Sequence, residues 1–332
     1  MPTFPGRRRC LTALCVLVLS FALCVTQVLG WGCVGHMIVA EIARRRLSPA
    51  NQEKIGAMAM AFGKSGPFRL SPDMVQAACW SDDLKIWHQY AMNSWHFVDT
   101  PYNPENITIT DAMDPVNIIN VTTDMMLALR HSKSPMYVLN FAWVSLVHLM
   151  GDLHQPLHAV TFYSKHFPHG DRGGNSIKVR VHGKEVRLHA LWDSLCNVTL
   201  PHYPRPLSST DYSAITEAAD QLEDTYKFST EMMTLRNTTL IASESFAFAV
   251  NTSYAGLTPG MELSDDYLER CAEVAKGRLT LGGYRLGNIL DDLLENIPVD
   301  DGILKEYRAT MQNQDSTPTT NDNVVRLRGH SH

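Results

Sequence analysis

Apolar residues recur at three- and four-residue spacing through most of the 332-residue chain, the period of an amphipathic helix. The segment SPANQEKIGAMAMAF opens with Ser48 as N-cap and Pro49 at the first helical position. The same spacing runs through DPVNIINVTTDMMLALRH, MYVLNFAWVSLVHLMGD, SSTDYSAITEAADQLEDTYKF, TLIASESFAFAV and SDDYLERCAEVAKGRLTLGGYRLGNILDDLLE. One stretch breaks it: SIKVRVHGKEVRL alternates polar and apolar around His182-Gly183, as a short β-hairpin does. The pattern predicts a mainly α fold with a small β-hairpin insert and no internal repeat.

The ends read differently. MPTFPGRRRC is followed by an apolar run of 15 residues and then VLG before Trp31. That is the grammar of a secretory signal peptide over residues 1–30, and the run is short of the roughly 20 residues that span a bilayer. Residues 31–308 form the predicted domain, and 309–332, rich in Pro, Thr and Asn, are predicted as a disordered polar tail. Of seven cysteines, Cys33, Cys79, Cys196 and Cys271 lie outside the signal, an even number in an oxidising compartment, which predicts two disulfides with three possible pairings. N-x-S/T sequons at Asn106, Asn120, Asn197, Asn237 and Asn251 are candidate glycosylation sites and mark surface. The protein is expected to be secreted, without stable membrane association, and monomeric.

Charge narrows the function classes. The chain carries 29 basic and 34 acidic residues, and removal of Arg7, Arg8 and Arg9 with the signal takes the net charge from −5 to −8. Nucleic-acid binders usually carry a basic footprint, and this chain has none. A polyanionic substrate would have to be held by something other than lysine and arginine.

Candidate chemistry concentrates in VHLMGDLHQPLH. His148 and Asp152, four apart, face one way on a helix. Pro156 stops that helix near Gln155, which leaves His158 on the exit turn, free to fold back. Mixed nitrogen and oxygen donors suit zinc, although a His–Asp pair at this spacing is also commonly just a hydrogen bond. LHALWDS pairs His189 with Asp193, SWHFVDTPY pairs His96 with Asp99, CWSDDLK contributes Asp82, and WGCVGH contributes His36. Three windows that read as helical thus each pair a His with an Asp. His88, His131, His166, His169 and His202 read as surface or capping histidines.

Six ordered motifs (WGCVGH, CWSDDLK, SWHFVDTP, VHLMGDLHQPLH, DRGGN and LHALWDS), followed by GGYRLGNIL, resemble the zinc-dependent class I nucleases, the single-strand-specific nucleases of fungi and plants. The likeness is strongest to the 3′-nucleotidase/nucleases of protozoan parasites, and it spans nearly the whole chain after Trp31. It implies a helical domain of the zinc-nuclease and phospholipase C type holding three Zn²⁺. Asp82, His96 and His148 would ligate one ion, with Asp152 bridging to a second held by the α-amine and carbonyl of Trp31 and by His36. His158, His189 and Asp193 would ligate the third. His154 falls outside the implied ligands and reads as a hydrogen-bond partner that orients a carboxylate.

The resemblance further implies that single-stranded RNA and DNA are hydrolysed to 5′-nucleotides and that 3′-nucleotides lose their phosphate. Catalysis would rest on Asp152 and on Lys85, which stands where many relatives carry an arginine and which otherwise reads as an exposed helix lysine. The three ions would supply the positive charge that the chain lacks. Phe97 resembles a base-stacking aromatic, Asp99 a base-edge partner and Asn175 a further polar contact; Gly173 and Gly174 read either as a close approach to ligand or as a hairpin entry. If Trp31 and Asp82 meet at one cluster, Cys33 and Cys79 are drawn together, leaving Cys196 with Cys271. A secreted zinc phospholipase C is the alternative enzyme, and a zinc- or nucleotide-sequestering protein the non-catalytic one.

Overall fold

The computed structural model describes residues 31–64, 68–111, 113–131, 133–196 and 202–315. The predicted signal peptide and the sequon at Asn197 lie outside them. Helices α1 (Cys33–Arg46), α2 (Pro49–Lys64), α3 (Met74–Ala77) and α4 (Trp80–Ile86) come first. A pair, α5 (Ile118–Arg130) and α6 (Met136–Leu153), follows, and α6 ends at its cap His154, just before Pro156. After the short α7 (Leu188–Asp193) come α8 (Ser209–Thr225), α9 (Thr230–Thr234), α10 (Thr238–Phe248), the long α11 (Asp265–Leu294) and α12 (Asp301–Asp315). Two-residue strands β1 (Pro101–Tyr102) and β2 (Thr161–Phe162) pair in parallel; β3 (Lys178–Val181) and β4 (Lys184–Arg187) form the predicted antiparallel hairpin, with His182 and Gly183 both at positive φ in its turn.

The chain is mainly helical, as its periodicity predicts. α6 is the one helix among the described residues long and apolar enough to cross a membrane, and it is instead buried in the core. The α1–α11 pair forms the other half of that core. On α11 a Cβ at Gly283 would lie 2.7 Å from Ile42 and one at Gly287 2.8 Å from the Ala43 carbonyl oxygen, so GGYRLG is the strip on which the α1 backbone rests. Disulfides join Cys33 to Cys79 and Cys196 to Cys271, the pairing expected. They tie α1 to the start of α4, and the end of α7 to α11.

One boundary is corrected. The chain stays helical past residue 308, to Asp315, where composition predicted an unstructured tail; residues 316–332 of that tail lie outside the described ones. Tyr307 packs over Gly56, Arg308 pairs with Glu53, and Lys64 pairs with Glu306 at 2.5 Å, so contacts to α2 hold a helix whose composition is mostly polar.

Candidate metal centre

Ligand-type side chains from six segments converge at the C-terminal end of α6. That helix presents His148 and Asp152 one turn apart, both buried. Asp152 Oδ2 lies 2.8 Å from His96 Nδ1 and 3.1 Å from His148 Nε2. Its Oδ1 faces the other way, 3.3 Å from His36 Nε2 and 3.6 Å from His158 Nδ1. The two oxygens therefore address two sets of donors.

Three buried groups result: Asp82, His96 and His148; His36, His148 and Asp152; and His158, His189 and Asp193. α4 carries Asp82, α1 carries His36, and α7 carries His189 with Asp193. A 3-10 turn, Asn93–His96, delivers His96, and another, Pro156–Ala159, folds His158 back as the proline predicts. The window containing His96 is not helical beyond that turn. Phe97 is extended, so His96 enters the cluster while Asp99 points to a separate pocket.

Backbone carbonyls set the histidine tautomers. His148 Nδ1 donates to the Ala78 oxygen (2.7 Å), His158 Nδ1 to that of His96 (2.6 Å) and His189 Nδ1 to that of Gly173 (2.6 Å). Each Nε2 is left with its lone pair facing the cluster, the arrangement that presents imidazole to a metal. Nε2 of His36, His158 and His189 and Oδ1 of Asp152 are buried with no hydrogen-bond partner among the described residues. A buried polar atom left unpaired costs roughly 1–3 kcal/mol. Several of them converging on one place fit a cation.

Electrostatics agree. Burial pushes His96 down to about 4 and His189 to about 3, and lowers His36 and His158, so these rings are neutral donors at neutral pH. Burial also works against His148, but the carboxylates of Asp152 and Asp82 outweigh it and raise that ring. Asp152 is held well below its usual range against its burial, by His148 and His158; Asp82 is likewise lowered, by Lys85 and His148. Asp193 goes the other way, pushed well up by burial, with the Gln155 amide pulling it back. A cation nearby would favour its ionised form.

Two glycines make room for this. A Cβ at Gly151 would lie 2.7 Å from His36 Nδ1, so a side chain there would displace that ring. Gly173, at φ +59°, passes so close to the Leu157 oxygen that a Cβ cannot fit, and its own carbonyl oxygen holds His189 Nδ1.

Lys85 is buried, not an exposed helix lysine, and its Nζ donates to Asp82 Oδ1 at 2.7 Å. Trp31 is fully buried, and the adjacent Gly32 N–H donates to the Asp193 carbonyl oxygen at 3.0 Å. Phe97, Asp99 and Asn175 line one pocket of about 110 Å³ together with Asn93, Leu157, Arg172, Gly173 and His189. Thr161 Oγ1 donates to Asp99, and Asn175 Nδ2 donates to the Arg172 oxygen at 2.9 Å. A larger cavity, about 500 Å³, lies beside Tyr102, Phe162 and Tyr254, and none of the clustered ligand residues lines it.

His154 departs from its expected role. Its Nδ1 donates to Met150 O (2.7 Å) and its Nε2 accepts from Arg285 Nη1 (3.1 Å), so the ring faces away from the clustered carboxylates, into a network with Glu244. The residue that does orient a clustered carboxylate is Gln155, which sequence reading missed: Nε2 donates to Asp193 Oδ1 at 2.7 Å and Oε1 accepts from Leu157 N at 2.5 Å. A neutral amide beside three histidines gives no signal except its place inside HQPLH. The five histidines read as surface are all exposed, and so are Asn106, Asn120, Asn237 and Asn251. Asn237 also caps α10, and the Asn120 side chain accepts from the N–H of Asn117, the N-cap of α5.

Residues 31–295 match the S1/P1 nuclease family. Among similar proteins, Endonuclease 4 of Arabidopsis thaliana is 30% identical over 301 residues, covering 85% of this chain and 95% of that protein. Nuclease S1 of Aspergillus oryzae is 23% identical over 287 residues, 79% of this chain and 91% of its own length. Nuclease P1 of Penicillium citrinum is 29% identical over 173 residues, 49% of this chain and 57% of its own. With the family matched across most of the chain and the buried His/Asp clusters in place, the protein belongs to the S1/P1 nuclease family, metal-dependent enzymes acting on nucleic acid.

Proposed function

We propose that the protein hydrolyses single-stranded RNA and DNA to 5′-nucleotides and removes the phosphate of 3′-nucleotides, acting as a secreted, glycosylated monomer with three Zn²⁺. The observation that carries this is the abutment of two features: His189, a member of the third buried cluster, also lines the pocket of Phe97, Asp99 and Asn175.

Asp82, His96, His148 and Asp152 would hold one ion, Trp31 with His36 and Asp152 the second, and His158, His189 and Asp193 the third. Zinc so held supplies Lewis acidity, a water acidified toward about pH 7 and a clamp on phosphate oxygens. Phe97 stacks a base, a contact of roughly 1–3 kcal/mol that tolerates any sequence but needs the base unpaired. That requirement is the source of single-strand preference. Asp99 and Asn175 meet the base edge. Lys85, fixed by Asp82, adds a point charge opposite the developing charge on phosphorus oxygens. A phospholipid headgroup offers no base to fill the Phe97 pocket, which disfavours the phospholipase reading.

The test is turnover by the zinc-loaded protein on single-stranded RNA, single-stranded DNA, duplex DNA, 3′-AMP and phosphatidylcholine. Cleavage of the single strands and 3′-AMP, with slow action on duplex, is expected. Headgroup release without nucleotide release would overturn the assignment.

A further inference from the structure

The pocket beside His189 holds one permanently charged cation among its lining residues, Arg172. Its backbone is left-handed, φ +61°, a conformation disfavoured for any residue with a Cβ, and two left-handed glycines follow it. The turn is closed by the Arg172 oxygen, which accepts from Asn175 N (3.2 Å) and Nδ2 (2.9 Å). Gly173 cannot take a side chain, because a Cβ there would run into the Leu157 oxygen. A glycine would sit at 172 without strain, yet an arginine stands there, exposed and with no ion pair within 4.0 Å among the described residues. Strain retained at a pocket mouth points to use.

Resting on the function proposed above, we infer that Arg172 binds the 5′-phosphate of the nucleotide whose 3′-oxygen departs. With the base against Phe97 and the 3′-phosphate toward His189, the 5′ oxygen is the remaining attachment point of that nucleotide. A guanidinium matches a phosphate with a two-pronged, charge-assisted contact. Arg172 is the one lysine or arginine among the residues lining that pocket, and the carboxyl beside it, Asp99, repels a phosphate, so the contact falls to Arg172. The pocket would then favour a nucleotide inside a strand over a terminal one with a free 5′-hydroxyl.

Adenosine 3′,5′-bisphosphate and 3′-AMP share base, sugar and reacting phosphate and differ only at the 5′ position. For the zinc-loaded wild type the bisphosphate should show a KM about five- to tenfold lower. In Arg172→Gly that ratio should fall to about one, while the thermal midpoint stays level or rises as left-handed strain is relieved; Arg172→Lys should keep part of the ratio. A ratio unchanged in Arg172→Gly overturns the inference and leaves the nuclease reading standing. If the wild type turns over neither compound, the nuclease reading falls. Calorimetric titration of the same two intact ligands then decides Arg172: a bisphosphate preference lost in Arg172→Gly supports it, and equal binding sinks it.

Discussion

Gln155 and Asp193, 38 positions apart in the chain, meet through a 2.7 Å hydrogen bond, and the other end of the same Gln155 amide holds the Leu157 N–H. One buried side chain thereby fixes both the carboxylate of the third cluster and the turn that carries His158. Without a donor at Oδ1, Asp193 is free to rotate, and the turn loses its anchor. Gln155→Leu should weaken metal at that cluster by about 10–100-fold, the usual effect of losing a residue that orients a ligand. Metal stoichiometry under increasing chelator checks this: the variant should lose one ion early and keep the others. Wild-type retention of all ions would refute the role.

Asp152 and His154 are close in sequence and opposite in orientation. Asp152→Asn leaves one oxygen to serve donors on two sides, so activity should fall by several orders of magnitude with metal lost from two clusters. His154→Ala should keep its metal. It removes the partner of Arg285 and opens a cavity, so the cost should appear as about 2–4 kcal/mol of stability, read by denaturant unfolding. Metal loss in His154→Ala to match Asp152→Asn would show that the ring does more than its contacts indicate.

Much of this site is legible in the sequence because helix periodicity is. His148 with Asp152, and His189 with Asp193, are one turn apart wherever a helix forms, and Pro156 dictates the fold-back of His158. The hairpin at His182-Gly183 is equally plain, since both turn positions need positive φ. Other parts leave no local trace. α1 is buried from Gly35 through Ala43, so no polar face marks it as a helix. The β1–β2 pair is two residues long and joins segments some 60 positions apart. His154 reads like a ligand-orienting histidine until Arg285, on α11, is seen to claim it. Gln155 is invisible for the opposite reason: amides carry no charge, and only the fold shows what this one touches.

Acid should destabilise the metal-free protein. Burial holds His96 near 4 and His189 near 3, against an ordinary value of 6.5. The unfolded chain takes up protons on both rings as pH falls below about 6.5, whereas the folded chain does not until about 4 and 3. Their contribution is therefore complete above 6.5 and is lost as pH descends through that window. Each unit of difference corresponds to about 1.4 kcal/mol. His148, raised by its carboxylates, acts in the opposite direction, so a single variant isolates the effect. The urea midpoint of stripped protein should drop between pH 6.5 and 4, and less steeply in His189→Gln. Parallel curves for the two proteins would contradict this assignment.

The last prediction concerns Trp31. Its side chain is fully buried against Gly35 and Gly151, and the next residue, Gly32, donates its N–H to the carbonyl of Asp193. Those contacts pin Trp31 beside His36 whatever precedes it. If its α-amine is also a metal ligand, chemistry at that atom becomes decisive: an amide nitrogen has no usable lone pair, while an α-amine with a pKa near 8 surrenders its proton readily to a metal. The second ion could then bind only after cleavage at residue 30, and the uncut precursor would be inert. Two secreted forms test this, one beginning at Trp31 and one with a single Ala before it. The extended form should bind about two zinc ions where the other binds three, and lose most activity on RNA and 3′-AMP alike. Because Asp152 would still be held by His148 and His96, its fold and its first cluster should survive, so near-ultraviolet circular dichroism should match. Equal zinc content and equal rates would show that the amine is no ligand, and His36 with Asp152 would have to hold the second ion without it.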